Sequence, residues 1–334
     1  MDDRYVSLAH GNGGRLMREL IEKLFARHLS GGLLDTSADA VSVSMPGTEI
    51  MITTDGFTVQ PLEFPGGNIG SLAVHGTVND LAVAGAMPLY LTVNAIIEEG
   101  FEIAQLDRIV EAMANAAKES GVRVVAGDTK VVPRGQGGGI YFGVTGVGVK
   151  INGTRITLSN IRPGDQVLLS GTIGDHGIAV MLAREQFGLK GDVRSDSASV
   201  LPLTQALSDL PGLRFMRDPT RGGLATVAHE ISQGTGFQIV LESKNIPVRP
   251  TIQSVCEILG YDPMYLACEG RVVAVVAPEQ AEEALRRWRS LNHGTDAHIV
   301  GEVREGQPLV TLRTELGGER ILQELEDDPL PRIC

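Results

Sequence analysis

Between Asn68 and Gly85 the chain carries a helix-patterned run of small and apolar residues that also holds His75, Asn79 and Asp80. It opens after the breaker Pro65-Gly66-Gly67. Its Gly and Ala positions let another backbone or a ligand approach closely. His75 and Asn79 are four residues apart and share a face. Asp80 sits among Val78, Leu81 and Ala82, where a carboxylate is costly unless it is paired or bound to a metal. Short β-type runs on either side each carry an Asp at one end: Asp39 before Val41-Ser42-Val43, Asp55 after Ile50-Met51-Ile52, and Asp128 after Val122–Ala126. Lys130 follows two residues beyond Asp128.

The rest of the chain alternates strand and helix patterns. A glycine-rich loop, His10-Gly11-Asn12-Gly13-Gly14-Arg15, feeds an amphipathic helix through Leu16, Leu20, Ile21, Leu24 and Phe25. Such loops can present backbone N–H groups to phosphate, although the spacing is neither a dinucleotide fingerprint nor a Walker loop. Strands are expected over Leu89–Ile97 and Ile140–Val149, with a helix over Ile103–Glu119. A boundary falls near Lys150–Thr154. Beyond it, Asp165–Gly177 reads as strand, glycine turn and helix, and Arg217–Leu224 as a turn entering the helix Ala225–Ser232. Cys268-Glu269-Gly270-Arg271 precedes the strand Val272–Ala277. Two lobes, α/β and α+β, account for the 334 residues. We expect them at 1–153 and 154–323, with a tail at 324–334.

Composition excludes several partner classes. A formal net charge of −12 argues against nucleic acid or anionic membrane, which need clustered Lys and Arg. It does not exclude a polyphosphate bridged by Mg²⁺. The 41 glycines and few aromatics suit tight turns rather than stacking platforms. Cys256, Cys268 and Cys334 make no CxxC pair and no disulfide framework. No apolar leader and no run of 18 apolar residues is present, so a soluble, cytoplasmic protein is expected.

The end of the chain, Pro329-Leu330-Pro331-Arg332-Ile333-Cys334, follows the acids Glu324, Glu326, Asp327 and Asp328. The prolines favour an extended backbone and the acids keep it solvated. A flexible arm of about ten residues would reach roughly 30 Å, with a thiol at its tip. An accessible thiolate is what makes cysteine react.

No zinc spacing and no nucleophile elbow occurs. The acids Asp39, Asp55, Asp80, Asp128 and Asp218 are hard oxygen ligands of the kind that suit Mg²⁺. Spacing and periodicity alone stop at a two-lobed chain compatible with a Mg²⁺-dependent nucleotide enzyme.

The order Gly-Asn-Gly-Gly, Thr-Thr-Asp-Gly, Val-Asn-Asp-Leu-Ala, Ala-Gly-Asp-Thr-Lys, Gly-Asp-His-Gly, Asp-Pro-Thr-Arg-Gly-Gly, Cys-Glu-Gly-Arg and terminal Pro-Arg-Ile-Cys resembles the HypE family of hydrogenase maturation proteins. The likeness covers essentially the whole chain. The Asp scaffold is similar to the wider ATP-binding superfamily of aminoimidazole ribonucleotide synthetase and selenophosphate synthetase, whereas Pro-Arg-Ile-Cys is specific to HypE. The resemblance implies a two-domain PurM-like (aminoimidazole ribonucleotide synthetase-like) fold that dimerises through its N-terminal lobe. It implies that a carbamoyltransferase, HypF, loads a carbamoyl group onto Cys334, that ATP drives its dehydration to a thiocyanate, and that the cyanide passes to iron on a HypC–HypD complex. It further implies ATP held by Gly11, Asn12, Gly13, Gly14, Asp55, Asn79, Asp80, Asp128, His176 and Arg221. Mg²⁺ would sit on Asp39, Asp55, Asp80, Asp128 and Asp218, Lys130 would stabilise the transferring phosphoryl group, and Glu269 would be the base. The alternatives are a non-catalytic thiol carrier that binds ATP structurally, or another enzyme of the superfamily. A selenophosphate synthetase would want a reactive Cys near the N-terminal glycine loop, and none is there.

Overall fold

The computed structural model describes residues 4–11, 15–29, 45–46, 49–151, 153, 156–184 and 191–325. Asn12, Gly13, Gly14, Asp39 and Cys334 lie outside the described residues. The chain divides into two compact units, one formed by residues up to Leu81 with Ala86–Lys150, the other by Ala82–Gly85 with the chain from Ile151 onward.

The first unit opens with α1 (Arg15–Leu20), a π-helical turn (Ile21–Ala26) and α2 (Arg27–Leu29). Then come β1 (Ile50–Phe57), the short pair β2 (Glu63–Phe64) and β3 (Gly67–Asn68), α3 (Ile69–Val83), β4 (Ala86–Glu98), α4 (Ile103–Glu119), β5 (Arg123–Val132) and β6 (Ile140–Lys150). The sheet order is β1-β6-β4-β5. β4 and β5 are parallel, joined through α4, whereas β6 runs antiparallel to β1 and β4. Along β6 burial alternates: Ile140, Phe142 and Val144 are buried and Tyr141, Gly143 and Thr145 are not. That period of two marks a sheet packed on one side. α4 turns Leu106, Ile109, Val110 and Met113 inward. The small residues of α3 have the expected use. A Cβ on Gly70 would lie 2.2 Å from the Ile109 carbonyl oxygen, and one on Gly76 would lie 2.9 Å from the Phe57 ring.

The second unit contains β7 (Gln166–Leu169), α5 (Asp175–Ala183), α6 (Leu201–Leu207), β8 (Leu213–Arg217), α7 (Gly223–Thr235), β9 (Gln238–Glu242), α8 (Pro250–Leu259), β10 (Val273–Val276), α9 (Ala281–Arg289), β11 (His298–Arg304), β12 (Val310–Arg313) and β13 (Glu319–Ile321). Its strands form one sheet in the order β13-β12-β9-β11-β7-β10-β8. Only the β12–β9 pair is parallel. Leu224, Val227, Ala228 and Ile231 of α7 pack into a core with Val167, Leu169, Ile239, Leu241, Val273 and Val275. Fully buried Trp288 of α9 donates its indole N–H to the Leu203 carbonyl in the first turn of α6, 2.9 Å away. Among the described residues, no helix is long and apolar enough to cross a membrane.

Two strand ends differ from the sequence reading. β1 continues past Asp55 to Phe57, paired with Phe142, and β5 continues past Asp128 to Val132, paired with Glu98. Both acids therefore lie within ladders, where strand parity decides which side of the sheet they face. Ladder partners extend a strand beyond the residues of high β propensity.

Candidate active site

In the first unit, α3 crosses the packed side of the sheet and the ladder register assigns each acid to a side. Asp55 pairs with buried Val144 and shares its side with Thr53 and Phe57, which α3 covers. Asp80 reaches that side from α3, and its Oδ2 accepts the Thr53 hydroxyl at 2.8 Å. Asn79 and His75 are buried on the same helix. Asp128 belongs to the neighbouring row, with Asn94, Gly143 and Gly56, and so faces the open side. It is half exposed there, and Lys130 pairs with it at 3.2 Å. The register thus brings Asp55 and Asp80 to one side of the sheet and Asp128 with Lys130 to the other.

Among the described residues, no group of three or more His, Cys, Asp and Glu lies close enough to hold a metal ion. Mg²⁺ commonly uses one or two carboxylates and completes its shell with phosphate oxygens and water. Asp55 and Asp80, on one side of the sheet, are two carboxylates of the kind such a shell uses.

In the second unit three loops meet. The Cys268 N–H donates to the Pro219 carbonyl at 2.9 Å, which joins the Cys-Glu-Gly-Arg stretch to the Asp218–Gly223 loop. The Gly177 N–H donates to the Ala267 carbonyl at 3.3 Å, bringing in the first turn of α5. Gly223 has φ of 60°, and a Cβ there would lie 2.6 Å from the Leu266 carbonyl oxygen, so only glycine lets α7 start this close. Asp218 and Glu269 are buried, at 7% and 3% exposure, and Arg221 is exposed.

The residue that holds this junction together is one the sequence reading missed. Asp196 accepts the Glu269 N–H through Oδ1 at 3.1 Å and lies 3.3 Å from Arg271 Nε through Oδ2. A Cβ on Gly270 would meet the Asp196 carbonyl oxygen at 1.9 Å, so the two segments touch backbone to backbone. Arg271 also donates to the Thr172 carbonyl at 2.9 Å and its hydroxyl at 3.2 Å. Thr172 in turn donates to Asp175 at 2.5 Å. Burial pushes the Asp175 carboxyl above the ordinary range. The Thr172 hydrogen bond opposes that, the Asp196 charge adds to it, and Arg249 and Arg271 pull it back. Nothing local marks Asp196: it lies in the polar run Arg194–Ser197, 73 residues from Glu269.

His176 is wholly buried, with Nδ1 2.8 Å from the Ser195 hydroxyl. It fastens the Ser195–Ser197 turn and presents no surface to a nucleotide. Asp175, in the first turn of α5, already supplies negative charge to that helix start. Cys256 and Cys268 are both buried. Burial, followed by the charges of Asp262 and Glu257, pushes the Cys256 thiol up to about 11. Burial, followed by Asp196, pushes Cys268 well above its usual value.

Two consecutive domain models match this chain: the AIR synthase related protein N-terminal domain over residues 37–150 and the corresponding C-terminal domain over residues 162–312. The chain is thus an AIR synthase related protein, with the two-domain PurM-like fold. Carbamoyl dehydratase HypE of Cupriavidus necator is 47% identical over 98% of this chain and 95% of its own. The HypE of Escherichia coli K12 is 40% identical over 98% and 99%. A crystal structure of HypE in complex with ATP superposes with a TM-score of 0.93 at 41% identity, covering 98% of this chain and 99% of that one. A HypE–HypF complex matches at 46% identity with a TM-score of 0.81, over 92% and 99%. Thiamine monophosphate kinase of Aquifex aeolicus, at 18% identity and a TM-score of 0.64, shares the fold alone. Within its class, the chain belongs to the HypE family of carbamoyl dehydratases, and it is an enzyme.

Proposed function

We propose that this chain dehydrates a carbamoyl group carried as a thiocarbamate on Cys334, using ATP, and so makes the cyanide ligand for maturation of a [NiFe]-hydrogenase. The observation that supports Cys334 is the state of the other thiols. The chain has three cysteines, and burial pushes the ionisation of two of them upward, which supports the terminal thiol as the reacting one.

The chemistry follows from the leaving group. An amide oxygen departs poorly, so it must first become phosphate. The thiocarbamate oxygen attacks the γ-phosphorus of ATP, ADP leaves and one N–H proton is given up, which forms an imidate phosphate; loss of phosphate with the second N–H proton then forms the nitrile. Catalysis of such a transfer rests on positioning and charge. Asp55 and Asp80 would hold Mg²⁺ against the phosphates, and the ion would neutralise their charge. Glu269, its backbone fixed by Asp196, would take the proton, whereas Lys130, paired with Asp128 on the opposite side of the sheet from Asp55 and Asp80, would lie away from their phosphates. The resemblance assigns Asn79 of the first unit and Arg221 of the second to the nucleotide, and Asp218 to Mg²⁺. Excluding water protects the phosphorylated amide from hydrolysis.

A homodimer suits the first unit. The open side of its sheet exposes Ile50, Ile52 and Ile96, at 50%, 69% and 36%, beside Asp128 and Lys130, so a second copy covering it would bury apolar surface and enclose those two charged groups. HypF would load Cys334, and a HypC–HypD complex would take the cyanide, in the cytoplasm. The test is intact-mass spectrometry of the carbamoylated protein with and without MgATP. Loss of one water that requires ATP and is absent in Cys334→Ala is the expected result. ATP consumption with the carbamoyl mass retained would instead favour a superfamily ATPase that uses the tail otherwise.

A further inference from the structure

Residues 191–200 form neither helix nor strand, so their backbone groups must find partners outside any ladder or helix of their own. Two positions of that run are spent on a single residue of another loop. The Glu269 N–H donates to Asp196 Oδ1 at 3.1 Å, and the Glu269 carbonyl accepts the Ala198 N–H at 3.3 Å. Both main-chain groups of Glu269 are thus bracketed by residues two apart in one segment. The bracket is itself fastened at two points. Arg271 Nε lies 3.3 Å from Asp196 Oδ2 and donates to the Thr172 carbonyl at 2.9 Å. Ser195 Oγ lies 2.8 Å from Nδ1 of buried His176 and accepts the Ser197 N–H at 3.0 Å, which closes the turn around Asp196. Beyond Glu269, the Val272 N–H donates to Ser170 Oγ at 2.9 Å and the Ser170 N–H to the Val272 carbonyl at 3.0 Å. The approach to β10 is therefore held on both sides of Glu269, which is itself 3% exposed.

We propose that Ser195–Ala198 is a positioning clamp for the Glu269 carboxylate, with Asp196 as its grip, Arg271 holding Asp196 and His176 holding Ser195. The inference rests on the reading that Glu269 takes a proton from the carbamoyl nitrogen. Position decides the rate of such a step. A base must come within about 3 Å of the group whose proton it takes, and a displacement of about 1 Å can cost about a hundredfold. With the Glu269 main chain fixed at both its N–H and its carbonyl, only side-chain rotations are left, and burial restricts those to few rotamers. The His176 and Asp196 side chains are buried, so they act through Glu269 and not on the substrate. His176 thereby has its role at the base, in place of the nucleotide contact that its motif suggested.

The experiment follows water loss from the carbamoylated chain by intact-mass spectrometry over a range of MgATP concentrations. The variants are Asp196→Ala, Asp196→Asn and Ser195→Ala, each alone and combined with Glu269→Gln, at a temperature where circular dichroism shows them folded. Asp196→Ala is expected to lower the rate at saturating MgATP about ten- to a hundredfold and to leave the MgATP concentration for half that rate unchanged. Asp196→Asn keeps an oxygen for the Glu269 N–H and should recover most of the loss. Ser195→Ala should lower the rate by less than Asp196→Ala. In the Glu269→Gln background none of the three should slow the reaction further, because groups that act as a unit are not additive. Losses that multiply in that background would overturn the clamp, as would an Asn variant no better than Ala, or a raised MgATP requirement with the saturated rate intact. Should Asp196→Ala not fold, the Ser195→Ala cycle with Glu269→Gln decides: a loss that vanishes in the Gln background supports the clamp, and no loss or a multiplying one overturns it. An unchanged rate in Glu269→Gln alone would overturn the choice of base and the clamp with it. Absence of water loss from the parent would instead overturn the function, which keeps the failures distinct.

Discussion

At Cys256 and Cys268 the local field has a direct chemical consequence. Both thiols are buried and their ionisation is pushed upward, so iodoacetamide at pH 8 should alkylate Cys334 first and leave the other two until the fold is opened. Peptide mapping after brief labelling checks this, and early modification of Cys268 would contradict it. Asp196 is 1% exposed and paired with Arg271. Removing one partner of a buried pair commonly costs about 3–5 kcal/mol, so Asp196→Ala should lower stability by about 3 kcal/mol in urea unfolding, while Asp196→Asn, which keeps an acceptor for the Glu269 N–H, should cost less. Asp175 sets a pH dependence. Burial raises its folded-state pKa above the unfolded value, so the folded chain keeps a proton that the unfolded chain has lost between those two values. Stability contributed at this site therefore falls as pH rises through that window. Asp175→Asn should flatten the slope there, and urea midpoints measured across acid to neutral pH would reveal it.

At the scale of elements, packing geometry sharpens what pattern suggests. The helix expected over Ile103–Glu119 is α4, because its apolar positions recur at helical spacing and its end is signalled locally. The run Asn68–Gly85 is α3, and its glycines are spent on contact: Gly70 abuts the Ile109 carbonyl. Gly70→Ala forces α3 and α4 apart and should cost about 1–3 kcal/mol, seen as a lower thermal midpoint with the active-site residues unaltered. Short strands were harder to read. β8 and β13 carry charged ends and weak alternation, and they exist because β10 and β12 offer open ladders. The same effect carries β1 and β5 beyond Asp55 and Asp128.

For the whole molecule, two measurements test what the surfaces imply. Ile52→Lys, on the open side of the first unit's sheet, should convert a dimer to a monomer in sedimentation, since it places a charge where 69% of an isoleucine is exposed. MgATP at one hundred times its dissociation constant should stabilise the protein by about 2.7 kcal/mol, with the thermal shift reduced by EDTA and in Asp80→Asn. Much of this protein was written in the order of its motifs: the family, the two-domain fold and the main helices. Those properties are local or sequential, so a linear reading reaches them. Tertiary structure alone decided that Asp55 and Asp80 share a side of the sheet while Asp128 faces away, that Asp196 grips Glu269, and that the Leu322 carbonyl meets His229 of α7. Each depends on ladder register or on contacts between residues 73 to 93 positions apart, and no periodicity within one segment encodes a partner in another.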